Sequence, residues 1–179
     1  MDVPKWLNHE EMRAWMAFVG ATALVDRRLD HQLRTDSGIS HLQYVILARL
    51  ATAPGEGVRM TELAEVLAST KSGLTYQVNQ LEAAGLVCRR SCPGDTRGVI
   101  AVITADGRKL LEQAAPGHVA AVRELFIDVL SSEQLAAIAD GLGEVSRRLG
   151  TRWPVSPASA SGHPEDSLQD QACGADQEP

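Results

Sequence analysis

The sequence predicts a mainly α-helical protein with one small β-hairpin. Apolar residues recur at helical spacing over much of the chain, as in residues 111–129. Residues 99–104, by contrast, are rich in β-branched side chains, and they follow Pro93 and Gly94, which are strong turn signals. The expected architecture is therefore a set of helices interrupted by a single short hairpin.

Composition divides the chain into a folded part and a tail. Of 179 residues, 44% are hydrophobic and only 4% aromatic, so aliphatic side chains must fill the core. Residues 151–179 carry one arginine, five acidic residues and few large apolar side chains. Such a segment buries too little surface to offset the entropy of ordering, and we expect a disordered acidic tail. Residues 1–150 form the predicted folded domain.

Targeting signals and a disulfide framework are not indicated. The first residues lack the charged-then-apolar pattern of a signal peptide. The longest apolar run, residues 15–25, is shorter than the roughly 20 residues that a bilayer requires. Three cysteines, an odd number, argue against a disulfide framework. We expect a cytoplasmic protein.

Capping signals mark the helices that precede the hairpin. Residues 10–35 form the first predicted helix, whose imperfect apolar stripe indicates burial on more than one side. Ser40 and Gln43 have the spacing of a capping box at the start of the next helix. A third, short helix is predicted to open at Thr61.

The fourth helix is predicted over residues 71–84. Thr70 can cap its first turn, and Gly85 stands where a left-handed terminating residue is favoured. After the hairpin, two more helices are predicted over residues 107–130 and 132–150, the second opened by a capping box formed by Ser131 and Gln134.

Two short helices joined by a tight turn and followed by a β-hairpin make a winged helix-turn-helix, here over about residues 40–104. The second helix of such a unit enters a DNA major groove. Its inner face is apolar, with Leu74, Val78 and Leu81 at helical spacing. Its outer face is polar and short-chained, and consists of Lys71, Ser72, Thr75, Tyr76 and Asn79.

This polar face has the chemistry of a DNA-reading surface. Its side chains can donate to and accept from base edges and phosphates. Gly73 weakens the first helical turn. The presence of a glycine here would be explained by close approach of the backbone to a phosphate. The alternative is an ordinary solvated face with an accidental glycine.

The hairpin is then the wing. Arg97 at its tip is predicted to enter an adjacent minor groove, whose negative potential attracts arginine. Asp95 is the nearest group that could orient the guanidinium, and Arg89 and Arg90 are predicted to neutralise flanking phosphates. Residues 69–97 contain four basic and two acidic residues, so this segment is locally basic within an acidic chain. The alternative is a surface turn with an ion pair of about 0–1 kcal/mol.

The order of these segments resembles the MarR (multiple antibiotic resistance regulator) family of bacterial transcription factors over residues 10–150. The resemblance rests on a block of the type L-x-x-L-E-x-x-G-L-V at residues 78–87, on Asp95 and Arg97 in the wing, and on Thr104 and Gly107. The recognition helix departs from the family, which often has arginine near the positions of Tyr76 and Gln80. The operator sequence is left open by that difference.

The resemblance implies a homodimer that reads an inverted-repeat operator, most commonly as a repressor. Residues 10–35, 107–130 and 132–150 would form the dimerisation region. A dimer is also expected physically, because one lobe offers few phosphate contacts for tight binding at physiological salt.

The resemblance further implies release from DNA when a small aromatic or phenolic ligand enters a crevice between the dimerisation helices and the lobe. The residues considered for that crevice are Trp15, Phe18, His31, His41 and Tyr44. The alternative for Trp15 and Tyr44 is a place in the core, and for the two histidines a surface or capping role.

Other functions have weaker support. No glycine-rich phosphate loop, nucleophile elbow or metal-binding pair is present in the sequence, so we expect no enzyme, metal or cofactor. Cys88 and Cys92 are predicted to share the packed face of a strand, where thiols are generally inert; oxidant sensing stays open. The rival function is a winged helix that binds protein without DNA, for which apolar residues would be expected on the outer helix face.

Overall fold

The computed structural model describes residues 4–53, 57–67, 70–92 and 95–150, with only the backbone of residues 95–97. The elements in chain order are α1 (His9–Ser37), α2 (His41–Ala51), β1 (Val58–Arg59), α3 (Met60–Val66), α4 (Lys71–Ala83), β2 (Val87–Cys92), β3 (Asp95–Ile103), α5 (Ala105–Val122), a π-helical segment (Arg123–Ile127) and α6 (Ser132–Arg148). The predicted tail at residues 151–179 lies outside the described residues, as does the predicted turn at Pro93 and Gly94.

The mainly helical prediction with a small β wing is confirmed, but the sheet differs in two respects. It contains a third strand, because β1 pairs with β3, which also pairs with β2. Two residues are too few to give an alternating pattern, so the sequence did not reveal β1. In addition, β3 begins at Asp95, opposite Cys92. The backbones of Asp95 and Arg97 therefore belong to this strand and not to the turn, where the sequence had placed them.

Side-chain caps fix where the helices begin. The predicted capping boxes at Ser40 and Ser131 are present, and Asn8 forms a third one with Glu11. Thr104 caps α5, which consequently begins at Ala105, two residues before the predicted start. The Thr104 Oγ1 also donates to the Gly85 carbonyl oxygen at 2.7 Å. One hydroxyl thus joins the start of α5 to the turn that ends α4.

The core of the lobe lies between α2, α3, α4 and the sheet. Its fully buried large side chains include Ile46 and Leu47 from α2, Leu63 from α3 and Val87 from β2. The three predicted inner residues of α4, Leu74, Val78 and Leu81, are all within this core and at most 1% exposed. Burial of a side chain of this size contributes roughly 1.5–3 kcal/mol, so the rotation of α4 about its axis is strongly fixed.

The terminal helices leave much apolar surface uncovered in the single chain. Only Leu29 and Leu33 of α1 are buried, and α6 has no buried residue. Trp15, for which a core position was the favoured alternative, is 53% exposed. That expectation was wrong for the single chain, because none of the described elements buries this side chain. The other exposed large apolar side chains of α1 and α6 are Met12, Met16, Phe18, Val19, Leu24, Leu142 and Val145, and Leu149 at the C-cap of α6 is exposed as well.

The described ranges contain neither a helix that could span a membrane nor a cluster of metal-ligating side chains. No helix there combines the length and apolar character needed to cross a membrane. No three His, Cys, Asp or Glu side chains in those ranges come together as a possible metal site.

We predict that Gly107→Ala destabilises the protein. A Cβ at this position would lie 2.2 Å from the Leu86 carbonyl oxygen and 2.9 Å from a carbon of Ile103. Such overpacking typically costs about 1–3 kcal/mol. Urea unfolding should therefore show a lower midpoint for this variant. Lys109→Ala, an exposed control two residues away, should change the free energy of unfolding by less than about 0.5 kcal/mol; equal midpoints for the two variants would contradict the close approach.

Candidate nucleic-acid interface

The outer face of α4 is polar and open to solvent. Lys71, Ser72, Thr75, Tyr76 and Asn79 are all exposed, and Tyr76 is 60% exposed. They lie opposite the buried residues of the same helix, as the sequence predicted. The face therefore presents an ammonium, hydroxyls and an amide at the spacing of successive helical turns, and these groups suit both phosphates and base edges. We call this set of five residues the reading face.

The first turn of α4 is held by Thr70. Its Oγ1 accepts a hydrogen bond from the Gly73 amide at 3.1 Å and lies 3.4 Å from the Ser72 Oγ. The Gly73 amide is therefore already bonded within the helix cap. A phosphate at this turn would have to use other donors, such as the Ser72 hydroxyl or the Lys71 ammonium.

Arg89 lies between the wing and α4. Its Nη2 donates to the Thr75 carbonyl oxygen at 3.3 Å, and its Nη1 is 3.2 Å from the Glu82 Oε2. The side chain is only 25% exposed. The sequence had grouped Arg89 with phosphate-neutralising residues, but the structure directs its guanidinium at two groups of α4.

A cleft of about 480 Å³ lies between α4, the start of α3 and the three-stranded sheet. Its lining includes Thr75, Arg89, Val99 and Arg59, the last from β1. The sequence did not single out Arg59, because the short strand that positions it was not recognised. The cleft adds a second arginine beside the reading face.

The other wing residues considered for DNA binding are Arg90, Asp95 and Arg97. Arg90 alternates with Arg89 along β2, so the two side chains leave the strand on opposite faces. The backbones of Asp95 and Arg97 lie in the first part of β3. The predicted interaction between their side chains lies outside the described part of the molecule and stays a prediction.

The cysteines do not have the predicted arrangement. Both Cys88 and Cys92 are half-buried. Cys88 alternates with the buried Val87, so it lies on the opposite face of β2 from the lobe core. A bulge between Ser91 and Cys92 also breaks the alternation that would place the two cysteines together. The expectation of one shared, packed face was wrong for these two reasons.

Comparison with known proteins identifies this arrangement. A family model described as the MarR family matches residues 37–98. The chain is also 41% identical to Sco3205, a MarR family transcriptional regulator from Streptomyces coelicolor whose crystal structure is a complex with DNA; the match covers 84% of this chain and 91% of that one, with a TM-score of 0.74. This chain belongs to the MarR family.

Two curated regulators are similar to this MarR-family protein. The transcriptional regulator HosA of Escherichia coli O111:H- is 36% identical over 93 residues, which are 51% of this chain and 66% of HosA, just under two thirds of its length. The HTH-type transcriptional repressor YetL of Bacillus subtilis (strain 168) is 29% identical over 131 residues, or 70% of this chain and 76% of YetL. The resemblance noted in the sequence is thereby confirmed: the protein is a MarR-family transcriptional regulator with the DNA-binding winged-helix fold.

A larger, apolar cavity of about 860 Å³ lies between α1, the end of the π-helical segment and α6. Of the five residues considered for ligand binding, Phe18 and His41 line it, whereas Trp15, His31 and Tyr44 do not. Trp15 instead contacts Phe18, with ring centroids 6.0 Å apart. His31 is exposed, which agrees with the surface role considered as the alternative to ligand binding. Tyr44 packs against the lobe core, in agreement with its core alternative.

His41 links α1 and α2 at the edge of this cavity. Its Nδ1 is 2.7 Å from the Asp26 Oδ1, and its backbone amide donates to the Asp30 Oδ1 at 3.0 Å. Asp30 also accepts from the Arg34 Nε at 2.7 Å. The hydrogen bond from Arg34 lowers the pKa of Asp30, so this carboxylate is ionised when it receives the His41 amide.

His118 of α5 is a residue that sequence reasoning missed. Its ring lies 4.2 Å from the Tyr44 ring and 5.5 Å from the His41 ring, measured between centroids. Its buried Nδ1 has no hydrogen-bond partner within the described residues. Burial, and secondarily the charge of His41, lower the pKa of His118, while burial raises the pKa of Tyr44. A histidine within the apolar stripe of a helix was the available signal.

We predict that His118 makes stability fall on acidification. Its pKa is below the ordinary value of about 6.5, so the unfolded chain binds this proton more readily than the folded one. The contribution to stability is complete above the ordinary pKa and decreases as the pH falls toward the folded pKa. The free energy of unfolding of the wild type, measured in urea between pH 7.5 and 5, should therefore fall more steeply than that of His118→Asn. The nearby titratable groups Asp26, His41 and Tyr44 remain in both proteins, and parallel pH profiles would contradict this role.

Proposed function

We propose that this chain is a homodimeric repressor that binds an inverted-repeat operator and releases it in response to a small ligand. The observation that carries the DNA-binding part is the orientation of α4. Its apolar side is locked into the lobe core, so its reading face must point outward. Because the partner is chromosomal DNA, we place the protein in the cytoplasm.

In this proposal α4 enters the major groove. Thr75, Tyr76 and Asn79 lie toward the middle of its exposed side and contact base edges. Lys71 and Ser72 contact the phosphate backbone at the start of the helix, where the absence of a side chain at Gly73 allows a close approach. These assignments follow the exposure of each side chain and the general division between base-reading and phosphate contacts.

The β2–β3 hairpin serves as the wing, with Arg97 in the adjacent minor groove and Asp95 orienting it. Arg90 contacts a flanking phosphate. Arg59, which lies in the cleft beside Thr75, is added to the candidate contacts. Residues 40–104 thus constitute the proposed DNA-binding lobe.

The homodimer is supported by the apolar surface of the terminal helices. Exposed apolar patches of this kind mark interaction sites in proteins that would otherwise be poorly soluble. The proposed dimerisation region comprises α1, α5 with the π-helical segment, and α6. Two lobes about 34 Å apart would then meet successive major grooves on one side of B-DNA.

Repression and ligand response have separate support. YetL, which is similar over most of its length, is described as a repressor. The cavity of about 860 Å³ is within the usual size range of small-molecule sites, and Phe18 and His41 offer an aromatic ring and a polar group at its wall. A small aromatic or phenolic ligand there would shift the population of lobe spacings and so weaken operator binding.

The rival, a winged helix that binds only protein, is disfavoured by the reading face. It would need apolar side chains where α4 carries Ser72, Thr75 and Asn79. The experiment that separates the two is selection of bound sequences from genomic DNA, repeated with aromatic acids present. Enrichment of an inverted repeat supports the proposal, and no enrichment above bulk DNA removes it.

We predict that Asn79→Ala lowers discrimination between operator and random DNA. Loss of a base contact typically costs about 1–3 kcal/mol of specific binding but little of the non-specific term. Fluorescence anisotropy titrations with the selected operator and a scrambled duplex would measure both. Gln113→Ala, which removes an exposed amide on α5 outside the proposed DNA-binding lobe, serves as the control. Equal weakening on both duplexes would argue against a base-reading role.

We predict that Leu142→Asp weakens the homodimer. This side chain is 40% exposed on the apolar stripe of α6, and a charge there would be buried without a partner in the proposed interface. Light scattering should give twice the 19.2 kDa chain mass for the wild type and a lower mass for the variant at micromolar concentration. Ala136→Asp adds the same charge to the opposite face of α6 and should remain dimeric. A monomeric wild type would overturn the proposed assembly.

A further inference from the structure

The guanidinium of Arg89 contacts two sites of α4 that are far apart along the helix. Thr75 and Glu82 are seven residues apart, which corresponds to about 10 Å of helix axis. Arg89 donates to the backbone of the first at 3.3 Å and pairs with the carboxylate of the second at 3.2 Å. Because Arg89 lies on β2, a single side chain fixes residues 75–82 of α4 against the strand that leads into the wing.

The hydrogen bond from Arg89 acts on the reading face because its acceptor is the backbone carbonyl of Thr75. Thr75 itself belongs to that face, and Tyr76 follows directly. The Thr75 hydroxyl donates to the Lys71 carbonyl oxygen at 2.7 Å, so its backbone and side chain are both held. The hydrogen bond from Arg89 to the Thr75 carbonyl oxygen therefore constrains the position of the part of α4 that would meet base edges.

The environment of Arg89 suits a positioning role better than a phosphate contact. A phosphate-binding cation is most effective when its donors are directed outward, whereas Arg89 is 25% exposed and two of its nitrogens have acceptors in α4. The planar fork of arginine matches this pair of acceptors, and lysine cannot reproduce it.

We propose that Arg89 is a positioning residue that sets the placement of the recognition helix relative to the wing, and that Glu82 acts through it. The proposal rests on the proposed function, since it concerns how the major-groove and minor-groove elements are held in one register. Neither side chain contacts DNA in this account. Their removal lowers specific affinity because α4 and the wing no longer fit both grooves at once.

Glu82→Gln is the decisive variant. If Arg89 bound phosphate, removing a nearby negative charge would leave operator affinity unchanged or increase it. If Arg89 is a positioning residue, the same change weakens its anchor and lowers operator affinity, on the order of tenfold, while affinity for a scrambled duplex hardly changes. Arg89→Lys separates the roles again, because it keeps the charge but loses the fork: a phosphate contact would survive, and the positioning contact would not.

The salt dependence supplies an independent readout. Each phosphate contact contributes about −0.9 to the slope of log K against log salt concentration, so loss of one contact per protomer changes the slope of a dimer by about 1.8. Lys71→Gln, the matched control on the exposed start of α4, should show such a change. Arg89→Gln should leave the slope near that of the wild type despite a lower specific affinity.

The experiment is therefore a set of operator and scrambled-duplex titrations at several salt concentrations, with thermal unfolding to select a temperature at which every variant is folded. Weaker, more poorly discriminating binding by Glu82→Gln and Arg89→Lys, with unchanged slopes, supports the proposal. Unchanged or tighter binding by Glu82→Gln, or a slope change for Arg89→Gln like that of Lys71→Gln, overturns it. If Arg89→Gln fails to fold, Glu82→Gln and Arg89→Lys decide. Failure of the wild type to prefer any sequence would instead reject the proposed function.

Discussion

The structure depends on the burial of one side of α4. Leu74, Val78 and Leu81 fill the middle of the lobe core, where they meet aliphatic side chains from α2, α3 and β2. A rotation of α4 by one residue, about 100°, would turn these side chains out of the core and bury polar ones in their place. The direction of the reading face is therefore a consequence of packing. The polar groups of the reading face stay exposed because the apolar side chains on the other side of α4 must remain in the lobe core.

The lobe is connected to the terminal helices by a few polar and aromatic contacts. Thr104 joins the end of α4 to the start of α5, and His118 of α5 contacts Tyr44 of α2. Asp30 of α1 receives the first amide of α2. That first amide belongs to His41, whose side chain lines the apolar cavity. A change in the spacing of the terminal helices has a direct physical route to the recognition helix through these contacts.

Much of this could be predicted from the sequence. The two faces of α4 and the caps at Ser40, Thr70 and Ser131 are local patterns, and all were predicted. Strand β1 was missed because its pairing with β3 is a non-local contact of only two residues. The partners of Arg89 and the surroundings of His118 also depend on which elements pack together. A sequence places a charge on a strand or a histidine on a helix, but it does not say which carbonyl or ring lies opposite.

Hydroxyl-radical footprinting of the protein, read by mass spectrometry with and without a genome-selected operator, tests the central claim most directly. Tyr76, which is 60% exposed on the reading face, should become strongly protected when the operator binds. Trp6, which is 82% exposed before the start of α1, should stay reactive and serves as the internal reference. Equal oxidation of Tyr76 in the free and operator-bound protein would mean that this side of α4 does not face DNA, and would contradict the account.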